Sequence, residues 1–180
     1  MHWYNDYKFI FKQAKFKGNQ NEALQYYKNA LSIRQKNDSL KDKDRYLAVI
    51  YGNMGEIYRE MGDYSNALSF HEKARDIQQQ IYSSDHVHLA TTYNNMALVY
   101  KSLNDPFKAL SYYKKALAIE EKLMPSLHPL LATTNNNIAQ AYQHIGDYAQ
   151  ALVFYQKSLE IIKKKIYVHH QDRHPQVLWR

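Results

Sequence analysis

One register returns along this chain every 42 residues. The string Leu89-Ala90-Thr91-Thr92-Tyr93-Asn94-Asn95-Met96-Ala97 reappears as Leu131-Ala132-Thr133-Thr134-Asn135-Asn136-Asn137-Ile138-Ala139, and Leu47-Ala48 opens the same pattern 42 positions earlier. A period of this length points to one supersecondary unit used repeatedly, each copy burying against its neighbours a face that it cannot bury alone.

Within each copy the apolar spacing is helical and is broken once. Ala23, Leu24, Tyr27, Ala30 and Leu31 fall at intervals of three and four, and comparable runs occupy the later copies. The breaks are Gly18-Asn19-Gln20, Gly62-Asp63-Tyr64, Asn104-Asp105-Pro106 and Gly146-Asp147-Tyr148. Gly or Asn can take the left-handed conformation that ends a helix, and Asn or Asp can cap the next one. Pro106 then falls at the first helical position, where its missing N–H costs little. The pattern predicts four helix-turn-helix units, over about 3–36, 45–82, 87–123 and 129–167, with 37–45 as a charged loop. Small residues at Ala67, Ala109 and Ala151, and at Ala74, Ala116 and Ser158, mark where paired helices must approach closely. Residues 168–180 form a tail in which His174-Pro175 opens a fifth unit that the sequence does not complete.

Composition narrows the function classes. With no cysteine, a disulfide framework, a Cys-based zinc site and a thiol nucleophile are excluded. No apolar run approaches roughly 18 residues, and the start lacks a basic head followed by an apolar core, so a cytoplasmic chain without membrane attachment is expected. The net charge of +7 is spread unevenly: +5 over 1–46, −3 over 47–88, +2 over 89–130 and +3 over 131–180. The acidic second quarter breaks any continuous basic stripe and argues against nucleic acid as a partner. Lys163-Lys164-Lys165 reads as a solvated helix end, where cations are favoured by the helix dipole.

The sequence carries no constellation suited to catalysis or metal binding. Among nine histidines, His86/His88, His169/His170 and His170/His174 are pairs, the last at i, i+4, but no third ligand or carboxylate base stands at a matching distance. The loop histidines recur with the repeat, which makes them structural. There is no Gly-rich phosphate loop and no Gly-x-Ser-x-Gly. The expectation is a chain that is not an enzyme and holds neither metal nor cofactor.

Tyr58, Tyr100 and Tyr142 in the first helix of each pair, Gly or Asn at the turn, and Ala, aromatic, Ala in the second helix resemble tetratricopeptide repeats. The 42-residue period, the strings Asn94-Asn95-Met96-Ala97 and His128-Pro129-Leu130-Leu131-Ala132, and the ending Ala116-Leu117-Ala118-Ile119-Glu120-Glu121-Lys122-Leu123 resemble the long variant found in kinesin light chains. The first copy departs from it, with Lys8-Phe9 in place of Asn, Ala14 in place of Tyr and a linker two residues longer. The resemblance implies an all-α, right-handed α-solenoid whose first helices line a concave side.

On a helical wheel, Tyr51-Met54-Gly55-Tyr58, Tyr93-Met96-Ala97-Tyr100 and Asn135-Ile138-Ala139-Tyr142 form the packing stripe. A second stripe, Val49-Asn53-Glu56-Glu60, Thr91-Asn95-Leu98-Ser102 and Thr133-Asn137-Gln140-His144, would floor the groove. An amide both donates and accepts, so it can hold an extended peptide backbone whatever the peptide's sequence. Asn53, Asn95 and Asn137 are the foremost peptide-binding residues, with Gln140 beside them and Arg59, Leu98, Lys101 and His144 at the groove edge. Asn94 and Asn136 have two open readings, as further groove amides or as ties between neighbouring helices. The functional expectation is a scaffold that holds a protein or peptide segment. The alternative is an accessory array of a larger enzyme or signalling protein. Val177-Leu178-Trp179-Arg180 offers an uncapped apolar end for self-association.

Overall fold

The turns inside the helix pairs are set by a left-handed residue followed by a cap, both supplied by the sequence. The computed structural model describes residues 20–36, 43–82 and 84–173, and its helices are α1 (Gln20–Lys36), α2 (Lys43–Glu60), α3 (Tyr64–Ile81), α4 (Val87–Ser102), α5 (Pro106–Leu123), α6 (Pro129–Ile145) and α7 (Tyr148–Arg173). No strand occurs among the described residues, and the fold is an all-α helical-repeat solenoid. The helices fall into two compact units, α1 to α3 and α4 to α7, divided between Ser84 and Asp85. The Gly18-Asn19 break and the tail from His174 lie outside the described residues.

The turns within the pairs behave as their residues require. Gly62 (φ 79°), Asn104 (φ 57°) and Gly146 (φ 90°) take left-handed geometry at equivalent positions. The next residue caps the following helix: Asp63 accepts from the Asn66 amide at 3.1 Å, Asp105 from Lys108 at 3.0 Å and Asp147 from Gln150 at 3.1 Å. The connections between pairs use histidine instead. His86 Nδ1 accepts from the His88 amide and His128 Nδ1 from the Leu130 amide, each at 3.2 Å, so each imidazole serves as an N-cap. α7 continues to Arg173, six residues past the limit of 167 read from the pattern.

Packing repeats with the sequence. In the first unit Leu24, Tyr27, Ile50, Met54 and Ile57 form the core, with Tyr58 and Phe70 at its edge. In the second, Ala97, Tyr113, Leu117, Leu131 and Ile138 do the same work. The small residues Ala67, Ala74, Ala109, Ala116, Ala151 and Ser158 are all buried, so the helices of a pair meet closely there. Ser158 satisfies its hydroxyl by donating to the Ala132 carbonyl at 2.8 Å.

Every described hairpin also carries the same ring-and-cation layer. Tyr58 stacks on Phe70 at 5.3 Å, Tyr100 on Tyr112 at 5.4 Å and Tyr142 on Phe154 at 5.6 Å, ring centre to ring centre. Lys73, Lys115 and Lys157 each place an ammonium 4.8 Å from the centre of the second ring. The lysine stem covers apolar surface while its charge meets the negative face of the ring.

A Cβ at Gly146 would meet nothing within 4 Å, so the only obstacle there is the positive φ. Gly146→Ala is therefore expected to cost about 1–2 kcal/mol in chemical denaturation, and Gly146→Asn less, because Asn104 already holds the equivalent place.

Candidate functional site

The groove stripe of the second unit comes from α4 and α6. Asn95 and Asn137 occupy one register of these helices, are half-buried, and hold no side-chain hydrogen bond among the described residues. One turn earlier the hydroxyls of Thr91 and Thr133 fold back onto their own helices, donating to the carbonyls of Val87 at 3.1 Å and Pro129 at 3.2 Å. The two amides are thus left uncommitted between groups that have spent their donors. Further along, Lys101 Nζ donates to Gln140 Oε1 and ties α4 to α6. Lys101, Gln140 and exposed His144 line a shallow crevice with Asn104 and Tyr113. Leu98 is half-buried against the core and offers only part of its surface.

The two neighbouring asparagines differ from one another. Asn94 Nδ2 donates to Glu120 Oε1 at 2.7 Å and to Thr134 Oγ1 at 3.3 Å, so its amide ties α4 to both α5 and α6. It is committed to the repeat interface. Asn136, at the same register one repeat later, is half-buried and forms no such tie among the described residues. Glu120 is fully buried, and burial pushes its carboxyl above the usual range, while the hydrogen bonds from Thr134 and Asn94 pull the other way.

In the first unit Asn53 is half-buried at the same register of α2 and its amide is likewise uncommitted. Arg59 is not free to reach a ligand unaided. Its Nε and Nη2 donate to the two carboxylate oxygens of Glu56 at 2.9 and 2.7 Å, a bidentate pair that holds the guanidinium charge firmly. His71, within electrostatic reach of this pair, is fully buried, with neither ring nitrogen hydrogen-bonded. Its imidazole occupies the space that a side chain at Gly55 would need: a Cβ there would stand 2.8 Å from the ring. Burial lowers the His71 pKa to about 4, with Arg59 adding to the shift and Glu56 opposing it.

The histidine pair His86/His88 has ring centres 5.0 Å apart, with His86 Nδ1 occupied in capping, and no group of three or more His, Asp or Glu suited to a metal ion occurs among the described residues. The pairs involving His169, His170 and His174 lie outside the residues whose side chains are described. No described helix is long and apolar enough to cross a membrane.

Capped helix hairpins with a ring stack at each pair and a regular amide stripe on the first helices define a tetratricopeptide-type repeat. The family's profiles, described as tetratricopeptide repeat, match residues 46–122, 108–164 and 14–37, and the chain belongs to the tetratricopeptide repeat family. No protein with a curated function matches it. Among solved structures it is similar to BtubC (BKLC) from P. vanneervenii, with a TM-score of 0.79 and 24% identity over 88% of this chain and 63% of that one. The chain therefore spans less than two thirds of that protein. It is also similar to the nearly identical TPR-like repeats of a kinesin-light-chain-type protein from Podosopora anserina, with a TM-score of 0.74 and 18% identity over 89% of this chain and 75% of that one. The apo form of RapI is similar at a TM-score of 0.74 and 19% identity over 88% of this chain and 42% of that one. The repeats resemble those of kinesin light chains, and a protein-interaction scaffold is the general role of such arrays.

Two buried titratable groups make opposite predictions. His71 is neutral when folded, so below its ordinary value of 6.5 the unfolded chain takes up a proton that the folded chain refuses until about pH 4. Its contribution is intact above pH 6.5 and is lost as the pH falls towards 4, by about 3 kcal/mol at most. Thermal unfolding across that range should show a slope that His71→Leu flattens. Glu120 has a raised pKa, so its burial as an anion disfavours the fold at neutral pH and not in acid. Glu120→Gln keeps an acceptor for Asn94, and Gln78 already fills the equivalent buried place in α3. This variant should raise the melting temperature at pH 7 and bring no gain at pH 4.

Proposed function

We propose that the chain is a non-catalytic, cytoplasmic scaffold that holds an extended peptide or partner segment along the first helices of its repeats. The supporting observation is the pair of uncommitted amides at Asn95 and Asn137, which share one register of α4 and α6 while the nearby Thr hydroxyls and Asn94 are already bonded. At a spacing of about 10 Å per repeat, successive first helices would match about three residues of extended chain at about 3.3 Å each. An amide ladder of that spacing can accept and donate to every third peptide unit. Asn136 would extend it in the second unit, where Gln140, Lys101, His144 and Leu98 would contact the ligand's side chains; in the first unit Asn53 would offer the same amide, and Arg59 would meet a ligand together with its partner Glu56. Such contacts are needed, because one net hydrogen bond contributes only about 0.5–1.5 kcal/mol and a micromolar complex requires about 8 kcal/mol.

The repeat array occupies about 1–167 in this reading, with 168–180 holding the end of α7 and a tail that would begin a further repeat. Leu152, Leu159, Ile162 and Ile166 form an exposed apolar face on α7, the kind of face that another hairpin or a second copy of the chain covers in an array. An accessory array within a larger enzyme or signalling protein accords with the same observation. The test is capture of partners by the wild type and by Asn95→Ala/Asn137→Ala, followed by calorimetry on the captured partner. The double variant should bind about tenfold or more weakly, as two lost hydrogen bonds imply, with an unchanged melting temperature. An unchanged dissociation constant would remove the amides from the groove role.

A further inference from the structure

The packing stripe has a gap at one register. Tyr51 and Tyr93 occupy equivalent places on α2 and α4, where each ring lies beside the second-helix ring, Tyr51 to Phe70 at 5.9 Å and Tyr93 to Tyr112 at 6.1 Å. Lys73 and Lys115 stand 5.8 Å from these two rings. Tyr93 packs against Leu89, Ala90, Ala116 and Ile119. At the same register of α6 the residue is Asn135, and its surroundings persist as Leu131, Ala132, Ser158 and Ile161, with Lys157 still over Phe154. The walls of a ring site are present without the ring.

An open-mouthed recess of about 500 Å³ lies there, its apolar lining supplied by Met124, Leu127, Leu131 and Ile161. Asn135 forms part of its wall and is only 3% exposed. Its Nδ2 donates to the Leu131 carbonyl at 2.7 Å, but its Oδ1 is buried and has no hydrogen-bond partner. A buried acceptor left unpaired costs free energy that a donor brought by a ligand would recover. The charged rim is balanced, with Lys157 and Lys164 against Glu121 and Glu160, and Lys164 is already paired to Glu160 at 2.6 Å. Nothing in the rim selects a charged ligand. The volume suits a ring with some flanking structure.

We infer that this recess binds a neutral aromatic ring bearing one hydrogen-bond donor, a phenol or indole, whose O–H or N–H donates to Asn135 Oδ1 while the ring packs on Leu131 and Ile161. The ring comes either as a free small aromatic or as a tyrosine or tryptophan side chain of a partner. The site is separate from the amide stripe, since neither Asn95 nor Asn137 lines it.

The test titrates the full chain, followed by NMR, with p-cresol, toluene and N-acetyl-tyrosinamide. Binding of p-cresol should be saturable and about tenfold tighter than that of toluene, the effect of one hydrogen bond to a buried acceptor. Asn135→Tyr should fill the recess, abolish p-cresol binding and raise the melting temperature. Asn135→Leu, which removes the acceptor but leaves room for a ring, should erase the preference for p-cresol over toluene. The Asn95→Ala/Asn137→Ala variant should bind p-cresol as the wild type does, which separates this site from the groove reading. Tighter binding of N-acetyl-tyrosinamide than of p-cresol would identify a partner's side chain as the source, and the reverse order a free small aromatic. Absence of saturable p-cresol binding, equal affinity for toluene, or a preference that survives Asn135→Leu would overturn the inference.

Discussion

The close approach of two helices at a small residue, with a ring pair locked beside it, is the constraint on which each hairpin depends. Ala67, Ala109 and Ala151 place only a methyl group between the helices, so the pairs Tyr58/Phe70, Tyr100/Tyr112 and Tyr142/Phe154 can meet as offset stacks. The lysine beyond each pair shields the outer ring without burying a charge, because its ammonium stays at the surface. A hairpin closed in this way settles the direction of both helices. It thereby determines which residues of the first helix are turned toward the pair and which are turned away.

The residues between repeats carry polar ties beside their apolar contacts. Asn94, Glu120 and Thr134 join three helices through one buried carboxylate, and the price is an acid group held in a poor medium for its charge. Gln78 at the equivalent place in α3 shows that a neutral amide can be buried in the same register. The structure thus separates adjacent asparagines by function: Asn94 is a tie, while Asn95 is an unoccupied donor and acceptor.

How much of this was legible in the sequence depends on whether a residue acts through its own backbone or through a neighbour. Gly62, Asn104 and Gly146 end helices by their own conformational freedom, and Asp63, Asp105 and Asp147 cap by bonding three residues ahead, so the breaks announced themselves. Which of its two readings Asn94 takes was not legible, because it turns on a contact 26 residues away in sequence with Glu120. Capping by His86 and His128 was visible only as a recurrence, since imidazole is an uncommon cap. The ring-and-lysine layer has a signal in the sequence, because Phe70/Lys73, Tyr112/Lys115 and Phe154/Lys157 recur three residues apart with the 42-residue period. Arg59 reads in the sequence as a cation at the groove edge, and its bidentate pairing with Glu56 one turn away shows only in the folded helix.

A repeat protein makes departures from its own pattern unusually informative, because the other copies show what the backbone accepts at that position. Asn135 replaces a ring where Tyr51 and Tyr93 keep one, and the neighbours that would have packed on the ring remain apolar. Substitution by a smaller apolar residue would have left a dry gap. Substitution by an amide leaves a gap with an unpaired acceptor in its wall, a less favourable arrangement for folding alone. Gly55 and His71 are a departure of another kind: the loss of a Cβ on one helix is matched by a ring on the other, and the space is filled. One deviation closes on itself and the other stays open, and the open one is where a ligand has something to complete.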